Sequence, residues 1–128
     1  MLAQQHRMRT SRQFSATTRS GVRSGRRNLV LYARLLSEES SPSVCGFVVS
    51  KAVGNAVTRN LVKRRLRELV APVIAARPQG LSIVVRALPS AAHTSWADLA
   101  RDYEAAWESV ARKLGVADEA EATAEGTS

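Results

Sequence analysis

The chain has a single cysteine, Cys45, among its 128 residues. A lone thiol cannot close an internal disulfide or supply a cysteine-rich zinc site, and in its apolar stretch it suits a small core residue. Neither His6, beside Arg7, nor His93, alone in its segment, has a second ligand at metal spacing. No apolar run approaches the roughly 18 residues of a membrane span. The N-terminal residues are charged and lack the apolar stretch of a secretory signal. The expectation is a cytoplasmic protein that does not engage membranes. The scarcest resource is negative charge: residues 1–37 contain no acid at all, and neither do residues 40–67.

What is present follows from that shortage. Hydrophobic residues make up 45% of the chain, enough for one compact domain with a modest core. Net charge is +8, and it is unevenly spread. Residues 1–90 carry 16 Arg or Lys against three acids, whereas residues 91–128 carry three basic residues against eight acids. Unneutralised charge repels itself in the free protein, so its concentration in one part points to a polyanionic partner, with nucleic acid first.

A pass along the chain predicts a helix over about 11–19, then a basic extended connection at 22–28 with room for a short edge strand. Residues 29–36 (LVLYARLL) and 44–50 (VCGFVVS) have strand length and composition. The short polar segment between them (SEESSPS) suggests an antiparallel hairpin. After Gly54 and Asn55 a helix is expected from about 56 or 58 to 70. Its apolar stripe is Val62, Leu66, Leu69 and Val73, and Pro72 ends or kinks it. Residues 81–87 (LSIVVRA) form the next strand. Ser95 then caps a final helix whose stripe is Trp96, Leu99, Tyr103, Trp107, Val110 and Leu114. Residues 116–128 are expected to be a disordered acidic Ala/Glu tail, leaving residues 1–115 as one domain of the α+β class.

The informative stretch is KAVGNAVTRNLVKRRLREL, residues 51–69. On a helix Arg59, Lys63 and Arg67 stack at i, i+4 and i+8, and Arg64 widens the same face. Repeated like charge on one face destabilises an isolated helix, while the planar Arg fork grips phosphate oxygens bidentately. Gly54 suits a tight strand-to-helix junction. Asn55 admits two roles, turn formation or contact with a phosphate near the helix N-terminus. The Gly-Lys-Ser/Thr ending of a nucleotide-binding loop is absent.

Lys51, Gly54, Asn55, Ala56, Val57, Arg59, Asn60, Lys63, Arg64 and Arg67 together resemble the RNR signature of the bacterial ribonuclease P protein family. The HRMRTSRQF opening (6–14), the LVLY strand (29–32), the GFVVSK strand (46–51) and the strand ending in Arg86 occur in that family's order, so the resemblance covers about residues 4–115. It implies an α-β-β-β-α-β-α two-layer sandwich with a left-handed βαβ crossover, a hand that general topology rules disfavour. It also implies a surface for the catalytic RNA made by Lys51, Asn55, Arg59, Asn60, Lys63, Arg64 and Arg67. A cleft for the 5′ leader of precursor tRNA would include Phe14, Tyr32, Ser50, Lys51 and Arg86. Aromatic faces in a positive groove suit single-stranded RNA, although Tyr32 serves equally well as core. Where the family often has a second aromatic one turn after Phe14, this chain has Thr18.

A protein nuclease needs carboxylates around metal ions or a general acid–base pair. The basic stretch has neither, so no catalytic or metal-binding residue is assigned. The family implies an endoribonuclease subunit acting in tRNA processing, with cleavage by the RNA subunit and magnesium held mainly by RNA. Its partners would be ribonuclease P RNA and precursor tRNA, with no protein partner required. The alternatives are another structured-RNA-binding protein (ribosomal or an assembly factor), a DNA-binding regulator and a free-standing nuclease. The regulator lacks the upstream helix of a helix-turn-helix, because VCGFVVS stands there.

Overall fold

The structure is a computed structural model that describes residues 2–116; of the expected tail only Val116 falls within it, and 117–128 lie outside the described residues. A 3₁₀ turn at Gln4–His6 precedes α1 (Ser11–Ser20), β1 (Val22–Gly25), β2 (Leu29–Leu35) and β3 (Val44–Val48). Next come α2 (Ala56–Ala76), β4 (Leu81–Ala87), a second 3₁₀ turn at Pro89–Ala92, and α3 (Trp96–Leu114). The expected α-β-β-β-α-β-α order is therefore present.

The four strands lie in the order β1-β2-β4-β3, with β1/β2 and β2/β4 antiparallel and β3/β4 parallel. The expected β2–β3 hairpin does not form, because β4 lies between the two strands. All but one of the residues of β4 are buried, Arg86 being the exception. A strand buried on both faces belongs in the middle of a sheet. The polar segment after β2 instead wraps the entry to β4. Leu36 N–H donates to the Gly80 carbonyl at 2.8 Å, Gly80 N–H to Ser41 at 2.8 Å, and Ser43 N–H to Pro78 at 2.9 Å. The chain between β3 and β4 is the crossover, and α2 is its helix.

Alternation gives each strand two faces. Leu29, Leu31 and Ala33 of β2, Cys45 of β3, and Leu81, Ile83, Val85 and Ala87 of β4 belong to the main core with α2 and α3. On the opposite face Val30, Tyr32 and Val84 form a smaller cluster, joined by Met8 and by Phe14 from α1. The two-layer sandwich is thus the sheet with α2 and α3, and α1 lies on part of the other face.

Three helical expectations are corrected. Helix α2 runs on to Ala76 with Pro72 inside it. Proline there removes only the N–H that would meet the Glu68 carbonyl, on an exposed residue, and burial of Ile74 sustains the last turn. The fully buried stripe is Val62, Leu66, Val70 and Ile74, while Leu69 and Val73 are half-buried beside it. Trp96 is 41% exposed rather than part of the α3 stripe, because it is the first helical residue and the buried run begins at Leu99.

Short polar contacts fix the helices. Ser95 Oγ caps α3 by accepting from Asp98 N–H, and Gly115, at φ 74°, closes it in a Schellman turn with Val116 N–H on the Ala111 carbonyl. Asp102 Oδ2 accepts from both the backbone N–H and the side-chain amide of Asn28, tying α3 to the β1–β2 turn. Helix α1 starts with a capping box between Thr10 and Gln13. It is fastened to the sheet by Thr17 Oγ1, 2.6 Å from Ser82 Oγ, with both residues buried. Thr17 Oγ1 also donates to the Gln13 carbonyl, so Ser82 is the donor of the pair.

Replacing Thr17 with Val keeps the shape and strands the Ser82 hydroxyl. The expected loss is about 1–3 kcal/mol of unfolding free energy in urea denaturation, and a change below about 0.5 kcal/mol would show that the pair is not an anchor.

Candidate nucleic-acid interface

Helix α2 begins where β3 leaves the sheet. Val53 N–H on the Ser50 carbonyl and Gly54 N–H on the Lys51 carbonyl turn the chain. Gly54 has φ 158°, and a Cβ there would sit 3.0 Å from Thr58 Cβ. Asn55 is the N-cap: its Oδ1 accepts from Thr58 N–H at 2.9 Å. The turn role of Asn55 is therefore real, and its amide N–H groups stay available to a partner.

Because the buried stripe passes through Val70 and Ile74, it runs closer to the basic row than the sequence suggested. Arg59, Lys63 and Arg67 are half-buried, while Asn60 and Arg64 are exposed. Arg59 Nε is inaccessible and has no hydrogen-bond partner among the described residues. Arg65 is turned away from the row, with Nη1 donating to the Thr94 carbonyl at 3.3 Å, so it ties α2 to the segment before α3. The ion pairs among the described residues are Arg101–Asp98 and Arg112–Glu108, both within α3. Among the described residues no acid forms an ion pair with a cation of α2.

The second surface lies across the sheet, between α1 and the strands. Phe14 is half-buried against Tyr32 and Val84. It lies so close to β3 that any Cβ at position 46 would strike its ring, which is what Gly46 permits. Tyr32 is nearly buried, and two guanidinium groups flank its ring: Arg23 Cζ at 5.8 Å and Arg86 Cζ at 6.0 Å from the centroid. Arg23 is the cross-strand partner of Tyr32, and Arg86 stands one diagonal step away in the register. Tyr32 is thus a floor for two exposed cations more than an open stacking face. Thr18 does not replace an aromatic there, since its hydroxyl donates back to the Phe14 carbonyl at 3.0 Å.

The predicted cleft residues Phe14, Tyr32 and Arg86 do come together. Ser50 and Lys51 are exposed just past the end of β3, where Val48 pairs with Arg86, and the same turn leads into the α2 cap. Lys51 therefore stands at the junction of the two basic surfaces. Sequence reasoning missed Arg23. It shares the cleft only because β1 pairs with β2 in a register that places it opposite Tyr32, and no local pattern carries that information.

The family profile "Ribonuclease P" matches residues 2–111. The chain belongs to the ribonuclease P protein family. It is similar to the "Ribonuclease P protein component" of Kocuria rhizophila, at 59% identity over 88% of this chain and 98% of that protein. The protein of the same description from Pseudarthrobacter chlorophenolicus is 57% identical over 89% of this chain and 83% of its own length. Among solved structures, the Staphylococcus aureus RNase P protein superposes with a TM-score of 0.71 at 26% identity, covering 80% of this chain and 93% of that one. The Thermotoga maritima RNase P protein, at 23% identity and a TM-score of 0.64, shares the fold over 77% of this chain and 92% of its own. Membership of the ribonuclease P family makes this chain a protein component of an RNA-associated enzyme of tRNA processing.

Cys45, between α2 and the sheet, takes no part in either basic surface. Burial pushes its thiol up to about 12 from 9.0, against the opposing pull of Arg67 and Arg7. The thiol stays protonated in the fold, so its contribution to stability is complete below pH 9 and is lost as pH rises from there towards 12. The native protein should resist a thiol reagent at pH 8 and react once unfolded by urea. Rapid labelling of the folded protein would contradict this burial.

Proposed function

We propose that this chain binds the catalytic RNA of ribonuclease P through the α2 face, with Lys51, Asn55, Arg59, Asn60, Lys63, Arg64 and Arg67. We propose further that it holds the 5′ leader of precursor tRNA in the cleft of Phe14, Tyr32, Arg86, Ser50, Lys51 and the newly found Arg23. The observation that carries this reading is the row of cations on α2 with no ion-pair partner among the described residues, joined through Lys51 to a second cationic cleft. A stable helix keeps such a row at the cost of self-repulsion, and phosphates relieve it. Arg guanidinium planes over the cleft offer stacking and charge to an unpaired strand.

On this reading the protein does no bond chemistry. It raises precursor affinity, distinguishes precursor from mature tRNA by the leader, and neutralises phosphate charge where the RNA subunit cleaves. Magnesium belongs to the RNA and the substrate. The site of action is the cytoplasm, where precursor tRNA is made.

Two measurements test the reading. Replacing Arg59, Lys63 and Arg67 together with Ala should weaken binding to ribonuclease P RNA and lower the log–log salt slope by about 2–3. The α2 helix should survive, since Ala is the best helix former and like-charge repulsion is relieved. Replacing Arg23 and Arg86 with Ala should leave RNA-subunit binding intact and erase the preference of the complex for precursor over mature tRNA. An unchanged salt slope would remove the first assignment, and an unchanged preference would remove the second.

A further inference from the structure

The segment ahead of α1 lies along the outer edge of β3, the edge not occupied by β4. Arg7 pairs with Cys45 in a parallel bridge, and Met8 N–H donates to the Cys45 carbonyl at 2.9 Å. The Cys45 thiol donates to the His6 carbonyl at 3.4 Å, and His6 Nδ1 lies 2.6 Å from the Ser43 carbonyl oxygen. The arm thus behaves as a short fifth strand and covers an edge that would otherwise invite pairing with another chain.

Register decides which way its side chains face. Residues paired across a sheet project to the same face, and successive residues project to opposite faces. Arg7 therefore projects with Cys45 towards the layer that contains α2. Met8 projects the other way and packs with Phe14 against the cluster around Tyr32. Arg7 is exposed, and among the described residues its guanidinium has no hydrogen-bond or ion-pair partner. Helix α2 packs on β3, and the charges of Arg7 and of the half-buried Arg67 on that helix both act on the Cys45 thiol.

We infer that Arg7 is a further phosphate-binding residue of the α2 face, held on the α2 side of the sheet by the pairing of the N-terminal arm with β3. The inference rests on the proposed RNA-binding role and extends it to an element outside the signature helix. Arg7 and Arg67 add like charge to the same side of the sheet, and among the described residues neither has an ion-pair partner, an arrangement that phosphate relieves. The arm also gives the RNA-subunit face and the leader cleft a common structural member, since adjacent residues serve the two sides.

The test measures binding of the full chain to ribonuclease P RNA, without precursor tRNA, over a range of KCl concentrations. Arg7→Ala should weaken binding and lower the log–log salt slope by about 0.7–0.9, and Arg7→Ala with Arg67→Ala by about twice that. Arg7→Lys, which keeps the charge, should restore the slope. The melting temperature should not move, since the side chain is exposed and has no partner among the described residues. If Arg7→Ala leaves the slope at the wild-type value while the Arg59, Lys63, Arg67 triple variant lowers it, the inference about Arg7 is overturned and the α2 assignment stands. If neither changes the slope, the RNA-binding face itself has been misassigned and the inference falls with it.

Discussion

Burial of one stripe of α2 is the constraint on which the rest depends. A helix with cations at 59, 63, 64, 65 and 67 and no acid before Glu68 would be weak alone, because like charges one turn apart repel. Val62, Leu66, Val70 and Ile74 hold it against the sheet, and Arg65 fastens it to the segment before α3. Helical stability in proteins comes mostly from such packing. The repulsion is thereby retained in the folded chain, and on the proposed reading phosphate relieves it. The same packing explains why the row is half-buried: the aliphatic stems of Arg59 and Lys63 can lie along apolar surface while their charged heads project from it.

The sheet supports a second surface by the same logic, through alternation. Each inward residue of β2 and β4 has a neighbour on the opposite face, so building the main core also sets Tyr32, Val84 and Arg86 on the face that α1 only partly covers. Thr17 and Ser82 hold α1 at the sheet, and Phe14 is thereby positioned over Gly46. Two basic surfaces on opposite sides of one sheet, joined at the β3–α2 turn, are what the proposed contact with two RNAs rests on.

The order of elements was legible because alternation and helical spacing are local. Strand pairing was not. The short polar segment between β2 and β3 looked like a hairpin loop, yet β4, far along the chain and buried on both faces except at Arg86, outcompeted β3 for the edge of β2. Pro72 misled for a related reason: its local cost is one hydrogen bond, and the burial of Ile74 beyond it is a tertiary fact. Of the proposed site, the α2 row follows from spacing alone, and Phe14, Tyr32 and Arg86 from the family resemblance. Arg23 and Arg7 follow from neither, since both owe their positions to register, one on β1 against β2 and the other on an arm against β3.

The most direct measurement is single-turnover cleavage of a 5′-labelled precursor tRNA by ribonuclease P RNA at a few millimolar magnesium, with and without this protein. The account predicts that the protein accelerates cleavage and that the acceleration shrinks as the leader is shortened. Equal rates with and without the protein, under conditions where it is shown to be bound to the RNA, would contradict it.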